Sequence, residues 1–173
     1  VDSMNLLLSD LPFAKNLPER PENRYVDLSG LSIANCIGCF GCWTKTPGRC
    51  VIRDDATAIY PLIAQSRRVI YVSRIRYGSY DIPMKTMLER AIPIQQAFIR
   101  LYHGETHHVQ RQVAQKDAVI IIYGKTSKEE RDIFRHLVAR NANNMLFKSW
   151  RILFVPQEQL EETIRKEVDK WER

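Results

Sequence analysis

The amino-acid sequence predicts a doubly wound parallel α/β sheet in three layers, α/β/α, and two observations carry that expectation. Short apolar runs without polar alternation, at Leu6 to Leu8, Val69 to Val72 and Ala118 to Tyr123, read as strands buried on both faces. The stretches between them carry helix caps and first-turn carboxylates, so strand and helix alternate along the chain. The 173 residues are 45% apolar and 27% charged, a composition that excludes a disordered chain. The longest apolar run is far too short to cross a bilayer, and neither a basic leader nor an internal repeat is visible. One domain over residues 1–173, cytoplasmic and away from membranes, is therefore expected.

Met4 to Ser9 reads as the first strand, ended by Asp10 and Pro12. Residues 10–24 carry Pro12, Pro18 and Pro21 and cannot easily hold a helix. Arg24 to Leu28 is the second strand, closed by Ser29-Gly30. Asp54-Asp55 supply an N-cap and first-turn charge for a helix to Ser66. Arg68 to Ser73 is the third strand, followed by a loop from Arg74 to Tyr80. A helix opens at Asp81-Ile-Pro and runs to Arg90, with proline tolerated in its first turn. Ile94 to Gln115 reads as partly helical, then polar around His103, His107 and His108. Ala118 to Tyr123 is the clearest strand, ended by Gly124, and Ser127 with Glu130 forms a capping box for a helix to Arg140. Trp150 to Val155 is the last strand and Gln157 to Trp171 the last helix.

Lys and Arg number 26 against 20 Asp and Glu, for a net +6, but the charge is dispersed. With no basic run and no RNA-binding aromatic motif, nucleic acid is excluded as a partner, and a phosphorylated small ligand or an acidic partner is favoured. All four cysteines lie in one loop, residues 35–53, spaced Cys36-x2-Cys39-x2-Cys42-x7-Cys50. A disulfide scaffold would spread its cysteines, so a metal, cluster or redox role is the better expectation. Gly38 and Gly41 permit tight turns around a small centre, and Pro47-Gly48 returns the fourth thiol. A [4Fe–4S] cluster, unliganded thiols, and zinc or a disulfide remain open at this point.

The run from Cys36 to Asp55 resembles the signature of the flavodoxin-like NADPH-dependent FMN reductases, including their iron–sulfur flavoprotein branch. Val72 to Lys85, His103 to His108 and Arg140 to Asn144 are also similar to segments of that group. The resemblance implies a flavodoxin-like fold, FMN, a reduced nicotinamide (NAD(P)H) or small protein electron carrier, and a homodimer or tetramer. It also implies that Cys36, Cys39, Cys42 and Cys50 hold a cluster, and that Tyr77, Gly78 and Ser79 contact the flavin ring, with Tyr123 and Gly124 at its edge.

The chain departs from the family pattern where relatives hold the flavin phosphate on a glycine-rich turn and a helix N-terminus. Here Ser9, Asp10 and Leu11 occupy that place and are the candidate cofactor contacts, without glycine, and the first crossover helix is expected to be missing. Arg74 and Arg76 replace the usual proline and tyrosine of the second flavin loop and are candidates for binding an anion. The alternative to a redox enzyme is a degenerate relative that has lost FMN and serves as an interaction subunit. His103, Glu105, His107 and His108 have the chemistry of a metal site, but loop packing or a subunit contact is the commoner role. No G-x-S-x-G elbow supports a hydrolase, and Met84 and Met87 read as core.

Overall fold

A computed structural model of the chain describes residues 3–13 and 16–172. Eight strands form: β1 (Asn5–Ser9), β2 (Asn23–Asp27), β3 (Arg68–Arg76), β4 (Ser79–Tyr80), β5 (Gln95–Tyr102), β6 (Glu105–Gln110), β7 (Lys116–Tyr123) and β8 (Phe147–Val155). The helices are α1 (Gly41–Thr44), α2 (Ala56–Gln65), α3 (Ile82–Glu89), α4 (Lys128–Met145) and α5 (Leu160–Asp169). Five parallel strands make the main sheet in the order β2-β1-β3-β7-β8, with β4 paired antiparallel to β3 at one end. This is the doubly wound flavodoxin-like order, and the direction of winding reverses between β1 and β3.

Side-chain alternation sorts the strands between two cores. Leu6, Leu8, Tyr71, Ile120 and Ile122 point to the face covered by α2, α3 and α4. Leu7, Ile70, Val72 and Ile121 point to the other face, covered by α5 through Leu160, Ile164 and Val168. None of the described residues of 10–22 is helical, as the prolines require; Leu11, Phe13 and Leu17 lie on this second face where a crossover helix would pack.

Several expectations change. The segment 94–115 is not helical: β5 and β6 pair as an antiparallel hairpin, Tyr102 opposite Glu105. The turn is His103-Gly104, both at positive φ (51° and 78°), the twist that a two-residue hairpin loop demands. The loop expected after Ser73 is also a hairpin, because β3 runs on to Arg76 and turns through Tyr77-Gly78 into β4. Asp55 precedes α2 but makes no side-chain cap. Its carboxylate accepts from the Ser32 amide instead, while Asp54 accepts from the Ala34 and Ala56 amides, tying the cysteine loop to α2. The Ser127–Glu130 capping box is present, but α4 runs past Arg140 to Met145.

Candidate functional site

Ligands of doubly wound sheets bind outside the carboxyl ends of the strands, at the point where winding reverses. That point lies at the ends of β1 and β3, and Asp10 fills it. The Asp10 amide donates to the Val72 carbonyl at 3.0 Å. Its carboxylate accepts from the Ser73 hydroxyl at 2.9 Å, the Arg74 amide at 2.8 Å and the Tyr123 hydroxyl at 2.9 Å. One side chain thus bridges β1, β3 and β7. Burial pushes the Asp10 carboxyl above the ordinary range, although all three donors favour its ionised form. Burial, with Asp10 alongside, likewise pushes the Tyr123 phenol up. The turn beyond β1 closes on itself: the Ser9 hydroxyl donates to the Leu11 carbonyl at 2.6 Å and accepts from the Leu11 amide at 3.3 Å.

The second loop presents a different surface. Tyr77, at the tip of the β3–β4 turn, is 89% exposed, so its ring is free to stack. Gly78 is obligatory: at φ 72° an added Cβ would meet Ile133 of α4 at 2.7 Å. Ser79 begins β4 beside it. Arg76 is spoken for, since its guanidinium pairs with Asp81 at 3.1 Å. Arg74 lies over the Tyr123 ring, 5.6 Å from its centroid, and makes no ion pair among the described residues. Gly124 follows at φ 99° and opens on a cavity of about 440 Å³ lined by Lys125, Thr126, Arg131 and Phe154. Tyr77, Gly78 and Ser79 thus follow the end of β3, while Tyr123 and Gly124 close the adjacent strand β7.

The cysteine loop is held from behind by Arg90, which is 1% exposed. Its guanidinium grips both Asp54 oxygens, at 2.6 and 2.9 Å, and donates to the Ala34 carbonyl at 2.7 Å and the Cys50 sulfur at 3.4 Å. Burial opposes ionisation of Asp54, but the Arg90 hydrogen bonds and the Ala34 amide outweigh it and hold that carboxyl below its usual range. All four thiols are free. Burial pushes the Cys42 thiol up, and Cys50, Cys36 and Cys39 add to this. The loop is shaped for turns, with Gly38 and Phe40 at positive φ, and Trp43 anchors it to the β5–β6 hairpin by donating to the Gln95 carbonyl at 3.0 Å and lying against His108. Among the described residues, no group of three or more His, Cys, Asp or Glu is placed to hold a metal ion.

The histidines dock the hairpin. His107 uses one ring nitrogen on Asn144 at 2.9 Å and the other on Glu105 at 2.7 Å, and Glu105 also pairs with Arg140 and accepts from Asn143. His107 thus joins hairpin to helix through Asn144, while its other nitrogen is held by Glu105 of the same strand. Sequence reasoning missed Arg90, which had been only the end of a helix; a lone arginine there carries no signal of its buried partners.

The FMN that the resemblance implies meets a divided site. The ring-edge residues are compatible in kind with a flavin: an exposed aromatic, two glycines and a cavity beside Gly124. The phosphate turn does not fit: Ser9, Asp10 and Leu11 were expected to bind the cofactor, yet their amides and the Arg74 amide are already satisfied within the chain and a carboxylate stands among them.

No protein-family model matches the chain. It is 37% identical over 68 residues to the iron–sulfur flavoprotein of Archaeoglobus fulgidus; the match covers 39% of this chain and 30% of that protein. Its fold is that of the FMN-dependent NADH-azoreductase of Bacillus anthracis, solved with FMN (TM-score 0.61, 10% identity, 98% of this chain and 97% of that one). It is also that of the NAD(P)H:quinone oxidoreductase of Methanothermobacter marburgensis (TM-score 0.56, 10% identity, 97% and 96%).

Proposed function

We propose that this flavodoxin-like chain is a flavin-dependent redox protein of the NAD(P)H oxidoreductase class, with the flavin ring at the edge formed by Tyr77, Gly78, Ser79, Tyr123 and Gly124. The observation that carries this is the site's position: an exposed aromatic turn and a glycine-opened cavity flank the point where the sheet reverses its winding. The flavin supplies the redox chemistry, and the chain contributes orientation and tuning, so no acid–base residue is required. The azoreductase and quinone oxidoreductase of like fold support the class, and the Archaeoglobus iron–sulfur flavoprotein supports iron–sulfur chemistry. For Cys36, Cys39, Cys42 and Cys50 the donor set suits a [4Fe–4S] cluster, but their arrangement does not form a ligand group. A cluster is therefore the secondary part of the proposal, as is self-association into a homodimer or tetramer. No described helix is long and apolar enough to cross a membrane.

Absorption spectroscopy, iron analysis and sedimentation of anaerobically purified protein test all three. Flavin bands, or their appearance on titration with flavin, together with oxidation of NADH or NADPH, are expected. A colourless protein that takes up no flavin would sink the enzyme and leave the interaction subunit, which the carboxylate at the phosphate position favours. Absence of iron after anaerobic reconstitution would remove the cluster, and a sedimenting monomer the assembly.

A further inference from the structure

We propose that Asp10 is a built-in substitute for a ligand phosphate at the switch point, so that the site takes a flavin by its ring and leaves the phosphate unrecognised. This rests on the flavin proposal above and narrows its ligand class, from FMN in particular to the isoalloxazine group with or without a phosphate on its side chain.

Among the described residues, the donors nearest the end of β1 are already used inside the chain. The Asp10 amide is bonded to Val72, the Leu11 amide to Ser9, and the Arg74 amide and Ser73 hydroxyl to the Asp10 carboxylate. Asp10 is only 9% exposed, so its charge is fixed among these groups rather than swung into solvent. An arriving phosphate would either face that carboxylate at short range or have to expel it from three hydrogen bonds. Like charges brought together in a partly buried crevice repel strongly.

The guanidinium of Arg74 beside this turn lies over the Tyr123 ring, and the other described elements around the turn offer little replacement. With no helix among the described residues of 10–22, the backbone dipole that normally attracts an anion here is missing. A cavity of about 490 Å³ stands in that place, between Leu11, Pro12, Phe13 and α5. The first turn of α5 carries Glu161 and Glu162, and the cation at this cavity, Arg165, is paired with Glu161. Arg76 is likewise committed to Asp81. The features that would receive a ring, Tyr77 and the cavity beside Gly124, use none of these donors.

The test is titration of the purified chain with FMN and with riboflavin, followed by flavin fluorescence, with inorganic phosphate as competitor. A phosphate held by even one charge-assisted hydrogen bond favours FMN by about tenfold or more. The expected result is affinities within about threefold of one another and no displacement by excess inorganic phosphate. Asp10→Asn keeps the size and removes the charge, and Asp10→Ser guards against a folding defect particular to one variant. Either is expected to raise the preference for FMN over riboflavin by about fivefold or more. A wild-type chain that binds FMN tenfold or more tightly than riboflavin, in the meaning of that same estimate, would overturn the proposal, as would variants that leave the ratio unchanged. Binding of neither flavin overturns the flavin proposal itself, an outcome distinct from two flavins bound in the wrong ratio.

Discussion

Gly78 is constrained twice, by a left-handed backbone at φ 72° and by Ile133 lying where a Cβ would stand. Gly78→Ala is therefore expected to lower stability by about 2–3 kcal/mol, read as a shift in denaturant midpoint without change of slope. Asp10 and Arg90 show how unequally single residues announce themselves. Asp10 was visible because it departs from a pattern: a carboxylate in a turn expected to meet a phosphate. What the sequence did not show is that three donors from β3 and β7 converge on it, the farthest 113 positions away. Arg90 offered nothing comparable, since its partners Ala34, Cys50 and Asp54 lie 36 to 56 positions earlier and none forms a local motif with it.

Among elements, the strands buried on both faces were legible from continuous apolar runs, and helix α4 from its capping box. Loss of that box in Ser127→Ala is expected to cost about 1 kcal/mol, measurable as a lower thermal midpoint with the helical signal otherwise intact. The far end of α4 was misjudged because Asn141, Asn143 and Asn144 are poor helix formers. Tertiary contacts override that propensity: Asn143 and Asn144 bond the hairpin's Glu105 and His107, and Met145 is buried. The hairpin itself was misread because Phe98, Ile99 and Leu101 are all exposed, so β5 lacks the one-sided alternation that marks a half-buried strand. The missed signal was His103-Gly104, a two-residue turn flanked by β-forming segments. In the cysteine loop the spacing was plain, whereas the placement of its thiols depends on how Trp43, Asp54 and Arg90 moor the backbone.

For the whole molecule, one buried cation links stability to pH. Lys116 opens β7 at 1% exposure, with only the carbonyls of Ala114 and Met145 as partners, and burial lowers its pKa to about 8. The unfolded chain, with an ordinary lysine near 10.5, binds more protons between these values. Stability should therefore rise with pH across that window by up to about 3 kcal/mol. Above it, buried Tyr71 and Tyr80, whose phenols are pushed up by burial, act in the opposite sense. Denaturant midpoints at about pH 7 and about pH 10 check this, and Lys116→Met should abolish the rise.

The missing crossover helix also shapes how the protein breathes. One face of the sheet carries three helices, while the other carries α5 and a proline-rich strap with no helix among its described residues. Cooperative opening units follow such differences in buried contact. The edge strand β2 is therefore expected to release its amide protons before β7, which is paired on both sides, in a hydrogen-exchange measurement. The switch-point crevice sits on the boundary between the two. Asp10, reaching from β1 to β3 and β7, is the stitch that keeps the site quiet while the edge beside it opens.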